Sequence, residues 1–293
     1  MLGSVAQRVP DAADPAALLT FLDGASAALA RTGAVLVVHP AWRADAAVKL
    51  VRRARMLLAT DRIARMPLDL PPLALSLVAD QLAYTAPHAP PGVLASIAPH
   101  LADRLFAGAW LASVAKLERG QAKLGQHMRS YLPGSGFMVT SAAETTVHRI
   151  TGAKPVQDIA RRPLDPVLML AANAQGDPDW LERQLRPALQ AVQVTSVAAP
   201  PLSAGFWGSG KYTEFVAFSG HPHDLHHVMR SVHCVRCPWC GEPTALPACP
   251  FCGEKQPRAD APPQPEAQPG PAPRPGTAHA PAAPPRQTPA TSP

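Results

Sequence analysis

Aromatic residues are scarce in this chain, 5% of its 293 residues, and charged residues make up only 16%. Lysine is rarer still, with six against 21 arginines. Any core must therefore be built mostly from Ala, Leu and Val. Long apolar runs are missing too. The longest, Leu105 to Ala115, is 11 residues between Arg104 and Lys116, whereas a bilayer-spanning helix needs about 20. Met1-Leu2-Gly3-Ser4 leads into Asp11 and Asp14 rather than into the apolar stretch of a signal peptide. Five cysteines without a wider disulfide pattern predict a reducing, cytoplasmic setting. Residues 257–293 hold 13 prolines and no Val, Ile, Leu, Met or aromatic residue. Such a segment cannot offset its ordering entropy by burial, so a disordered, extended tail is expected there.

What is present is concentrated near the C-terminus. Cys237-Pro-Trp-Cys240-Gly and Cys249-Pro-Phe-Cys252-Gly are two turns of one design. Proline presets φ for a tight turn and the trailing glycine supplies the positive φ that closes it. Two such turns facing one another supply four thiolates, the tetrahedral set that Zn²⁺ favours. Cys234-Val-Arg-Cys237 is a rival first pair, but it lacks the Pro and Gly that match the second turn. A redox dithiol is a further rival; it would need a long helix after the motif, and Gly241-Glu242-Pro243-Thr244 reads as a turn.

Residues 234–256 resemble the short bacterial zinc ribbons, or double zinc knuckles. The resemblance implies Cys237, Cys240, Cys249 and Cys252 as ligands of a structural Zn²⁺ and covers no more of the chain.

The net charge of +6 does not sit on this module, whose Arg236 and Lys255 are balanced by Glu242 and Glu254. It is richest over residues 43–65. On a helix, Lys49, Arg52 and Arg53 share one face, while Leu50, Val51, Ala54, Leu57 and Leu58 share the other. This is an ordinary amphipathic helix or a face for nucleic acid or another anion. Lys116, Arg119 and Lys123 form a second basic stripe.

Periodicity and turn signals predict helices over 16–31, 44–59, 73–84, 92–107, 108–128, 177–190 and 222–232. Strands are expected over 34–38, 137–140, 145–150, 167–170, 192–197 and 214–219. The fold class that follows is α+β. Its helix-rich part covers 1–135; a strand-rich part, 136–232, belongs to the same domain or forms a second small α+β domain; the zinc ribbon covers 233–256 and the tail 257–293.

Two patterns suggest chemistry weakly. Gly205 to Lys211 nearly spells a phosphate-binding loop, but Tyr212 stands where Ser or Thr belongs and a strand follows instead of a helix. His221, His223, His226, His227 and His233 cluster with Asp224, and His223 and His227 are spaced to share a helix face, as metal ligands do. The resulting expectation is a non-catalytic zinc-binding adaptor or assembly protein with a protein partner, touched through Trp239 and Phe251 exposed at the turn tips. The alternatives are a nucleic-acid-binding protein using the 43–65 helix and a metal-dependent hydrolase using the His221–His233 cluster.

Overall fold

The structure, a computed structural model, describes residues 6–9, 15–117, 136–141, 145–150, 156, 159 and 161–256. The tail, the loop at 132–135 and the Arg119 and Lys123 stripe lie outside these residues.

The chain opens with helix α1, Pro15–Thr32, which stops at Gly33 with φ +72°; the Gly33 amide donates to the Leu29 carbonyl at 2.9 Å. That is the glycine-terminated helix end the sequence announces. Strand β1, Val35–Pro40, follows, then a 3₁₀ turn over Ala41–Arg43 and helix α2, Ala44–Leu57. Strand β2, Ile63–Leu68, lies parallel to β1, with Val35 opposite Ile63. Helices α3, Pro72–Thr85, and α4, Pro91–Ala102, each begin with proline in the first turn, where its missing N–H costs nothing.

A six-stranded mixed sheet forms the second layer. Its strands are β3 (Phe106–Leu111), β4 (Gly136–Ser141), β5 (Thr145–Ile150), β6 (Val167–Ala174), β7 (Ala191–Ser196) and β8 (Tyr212–Ser219), in the spatial order β5-β4-β3-β8-β6-β7. Only β6 and β7 run parallel within it. Their crossover is helical: Pro178–Trp180, a π-helical Leu181–Leu185 and Arg186–Leu189. The helix expected over 177–190 is thus interrupted by a π turn just ahead of Pro187. The chain closes with the helix Asp224–Ser231 and a two-residue ladder, β9 (Val235–Arg236) against β10 (Pro243–Thr244).

α3 and α4 sit between the two sheets. Leu77, Val78, Leu94 and Ile97 pack with Met66 and Leu68 of β2 on one side and with Ala172 of β6 and Val216 of β8 on the other. The opposite face of the large sheet buries Phe215 and Ala217 against Trp180, Leu181, Leu185 and Leu189. The far face of β1–β2 is covered by α1 and α2 through Phe21, Leu50, Val51 and Ala54.

Three expectations over this region need correction. The segment 108–128 is not one helix, because β3 occupies Phe106–Leu111. A short apolar run that is buried on both faces shows no period to distinguish strand from helix. Gly108 carries the missing clue: a Cβ there would meet the Val139 carbonyl oxygen at 2.3 Å, so the strands can pair this closely only at glycine. β2, hidden in the arginine-rich stretch 60–68, was also missed. Leu57, expected on the buried face of α2, is 62% exposed because the helix ends there.

One buried acid holds the layers together. Glu214, in the middle of β8, is fully buried. Its Oε1 accepts from the Leu73 amide in the first turn of α3 at 2.9 Å, and its Oε2 accepts from the Ser203 hydroxyl at 2.5 Å. Burial pushes its pKa up to about 7, with the Ser203 and Leu73 hydrogen bonds and the Trp207 side chain opposing the rise. The folded state therefore binds this proton more tightly than the unfolded state does. The resulting stability is complete below about 4.5, the ordinary value, and is lost as pH rises towards 7. Denaturant unfolding between pH 4 and pH 8 should show Glu214→Gln free of this loss, which in the native protein is on the order of 3 kcal/mol.

Candidate metal centre and ligand cleft

The two cysteine turns have the same backbone. The Cys237 amide donates to Glu242 O at 2.9 Å and the Gly241 amide to Cys237 O at 2.9 Å; the Cys249 amide donates to Glu254 O at 2.8 Å and the Gly253 amide to Cys249 O at 2.9 Å. Gly241 and Gly253 have φ of +72° and +80°, as the sequence requires of them. The turns face one another, with Sγ separations of 3.5 Å for Cys237–Cys252 and for Cys240–Cys249. All four sulfurs lie within 4.8 Å of each other. A tetrahedron with metal–sulfur bonds of about 2.3 Å places its sulfurs about 3.8 Å apart, so the four are close enough to hold a metal ion.

The donor chemistry agrees. Amides of Cys240 and Trp239 pull the Cys237 thiol down, whereas burial pushes the Cys240 and Cys252 thiols up. Four ionised sulfurs at this spacing require a cation among them. Cys234 stands outside the quartet, and all five cysteines are free thiols. Among the described residues this is the only group of three or more Cys, His, Asp or Glu side chains so gathered. His223 and His227 are not part of such a group. His221 Nδ1 instead accepts from the His223 amide at 3.2 Å.

The turns point inward. Phe251, expected at an exposed tip, is 2% exposed and packs with Ala34 of the α1–β1 connection and Ala64 of β2. The Arg62 guanidinium lies 4.6 Å from its ring centre. Arg55 donates to the Phe251 carbonyl at 3.0 Å and to the Ile63 carbonyl at 2.7 Å. Glu242 is paired with Arg62 at 2.9 Å and accepts from the Gly92 amide, at the start of α4, at 2.8 Å. A Cβ on Gly92 would meet the Pro243 carbonyl oxygen at 2.2 Å. Only Trp239, 79% exposed, projects as expected. Composition could not separate Trp239 from Phe251, since both occupy the same turn position and differ in what the turn packs against.

A second feature lies at the carboxyl end of β1. A cleft of about 790 Å³ opens there, lined by Leu18 of α1, by Trp42 and Arg43 of the 3₁₀ turn, and by Asp45, Lys49, Leu50 and Arg53 of α2. Crevices outside the carboxyl ends of parallel strands are the usual ligand sites of α/β layers, and the volume falls in the ~300–1,000 Å³ range of small-molecule pockets. Its wall combines apolar side chains with three cations and one carboxylate. Of the predicted anion face, Lys49 and Arg53 line the cleft; Arg52 is exposed outside it. Sequence periodicity located the cations and had no means of seeing the cleft. Behind it, the Trp42 and Phe206 ring centres are 5.4 Å apart. Phe206 belongs to the short helix Ser203–Trp207, which takes up the first three residues of the phosphate-loop-like stretch; strand β8, not a helix, follows that stretch.

No protein-family model matches this chain, and no curated protein matches it. Solved structures do. A stearic-acid-binding protein from Eubacterium ventriosum is similar at 11% identity and a TM-score of 0.50, over 68% of this chain and 75% of that one. A DegV family protein from Corynebacterium glutamicum is 18% identical, with a TM-score of 0.49 over 70% of this chain and 82% of that one. A fatty-acid-binding DegV family protein from Thermus thermophilus is 14% identical, with a TM-score of 0.49 over 69% and 76%. The likeness to the Eubacterium protein shows a shared mixed α+β fold. The expectation of an adaptor built around a zinc ribbon is corrected: the body of the chain shares its fold with a protein described as binding stearic acid, and the cysteine turns are braced inward instead of offered as a knob. The nucleic-acid and hydrolase alternatives are not favoured; among the described residues the histidines do not assemble into a metal-binding group. Among the described residues no helix is long and apolar enough to cross a membrane.

Proposed function

We propose that this protein binds one long-chain fatty acid in the cleft beside β1, and that the four cysteines hold Zn²⁺ as a structural ion. The observation that carries the first part is the cleft itself, with its apolar wall and three cations, at the carboxyl end of a parallel strand. An acyl chain suits Leu18, Trp42 and Leu50. Its carboxylate suits Arg43, Lys49 and Arg53, since charge-assisted hydrogen bonds to a carboxylate are the strong ones. The fold shared with a protein described as binding stearic acid supports this reading. No reaction is assigned, because the cleft offers binding groups and no nucleophile–base pair.

Titration of delipidated protein with stearic acid, followed by native mass spectrometry, should give one acid per chain. Lys49→Glu with Arg53→Glu should weaken binding by roughly tenfold or more, while Arg52→Glu, outside the cleft, leaves it unchanged. Absence of binding, or equal binding by all three proteins, would overturn the assignment.

The zinc reading rests on the matched turns and the sulfur spacing. In a module this small, metal binding is most of the folding free energy. Elemental analysis should find one zinc per chain in the native protein and in His223→Ala, and none in Cys249→Ser. Chelation should lower the melting temperature by roughly 10 °C. Zinc-free protein with an unaltered melting curve would refute it.

A further inference from the structure

Glu214 has no counter-charge. Among the described residues no basic side chain pairs with it; the Ser203 hydroxyl and the Leu73 amide donate to it, and the Trp207 side chain also favours its ionised form. The strands on either side, β3 and β6, set Ala109 and Ala172 opposite it and carry no ionisable residue. The helix Ser203–Trp207 carries none either. On α3 the ionisable groups are Asp80, which accepts from the Ala6 amide, and Tyr84, which is 45% exposed; they lie two and three turns beyond Leu73. On β8 itself the titratable neighbour is Tyr212, whose pKa burial raises and which shares Ser203 as a hydrogen-bond partner.

A short chain of contacts links this carboxyl group to the cleft. Ser203 begins the short helix whose Phe206 stacks on Trp42, and Trp42 is the cleft wall. We infer that Glu214 is a proton-sensing positioning group for the cleft: when protonated it keeps the helix Ser203–Trp207 and the start of α3 packed behind Trp42, and when ionised it loosens both. Desolvation of the charge drives the loosening, and it outweighs the strengthening of the Ser203 and Leu73 hydrogen bonds on ionisation, since burial is the largest influence on this group. A buried carboxylate without a cation draws water towards itself or parts the groups around it. The proton also sets the sense of the hydrogen bonds: a protonated Glu214 donates to Ser203 Oγ and frees that hydroxyl for Tyr212, whereas an ionised one accepts from the Ser203 hydroxyl and leaves Tyr212 to donate to Ser203 Oγ. A ligand that needs the packed wall then binds in proportion to the protonated population.

The ligand part rests on the fatty-acid reading; the conformational part does not, and the test separates them. Tryptophan fluorescence of ligand-free protein, followed from pH 5 to pH 9, should change with a midpoint near 7. Glu214→Gln should abolish that transition. Ser203→Ala, which removes a hydrogen bond favouring the ionised form, should move the midpoint up. Stearic acid affinity of the native protein should fall roughly fivefold or more across the same transition, and that of Glu214→Gln should follow only the acid's own titration. Persistence of the transition in Glu214→Gln, or an unmoved midpoint in Ser203→Ala, would overturn the switch. A fluorescence transition that behaves as expected alongside pH-independent stearate affinity would overturn its link to the cleft, and stearate failing to bind at any pH would overturn the fatty-acid reading alone.

Discussion

A two-stranded parallel ribbon cannot stand by itself in water, and β1–β2 is such a ribbon. Parallel pairs persist only when both faces are covered. One face here takes α1 and α2 and the other takes α3 and α4, which in turn rest on the six-stranded sheet. The cysteine turns add cover at Ala34 and Ala64. The arrangement depends on contacts between parts of the chain far apart in sequence: Arg62 with Glu242, Arg55 with Phe251 and Leu73 with Glu214. The carboxyl end of β1 is left open, and that is where the cleft lies.

Local signals were legible where local chemistry decides. Pro15 and Gly33 bound α1, the period of Leu50, Val51 and Ala54 marks the buried side of α2, and the Pro and Gly of the cysteine turns dictate their tight hydrogen-bonded form. Tertiary decisions were not legible. β2 reads Ile-Ala-Arg-Met-Pro-Leu, with arginine and proline in a six-residue strand, and it is a strand because β1 offers it a partner. Glu214 looks like a polar residue on an edge, yet it is buried at the centre of a sheet because an α3 amide and a serine meet it there. Phe251 differs from Trp239 only through Arg62 and the β2 neighbours that cover it.

The same limit explains the functional correction. Cysteine spacing is the loudest chemical signal in the sequence, so it drew the function towards itself. In the structure it is an anchor for the end of the chain, and the groups that suit a ligand are ordinary ones, Trp42, Lys49, Leu50 and Arg53, brought together by a 3₁₀ turn and one helix. No spacing rule describes such a site, because its members are selected by shape and charge rather than by a fixed pattern.

The cysteine quartet has a dry side and a wet side. Cys237 and Cys249, the first of each pair, are buried, while Cys240 and Cys252 are only half-covered. Access to this centre is therefore one-sided: a competing thiol, a chelating molecule or an oxidant meets Cys240 and Cys252 first, while Cys237 and Cys249 are buried with Ala34, Ala64 and Phe251.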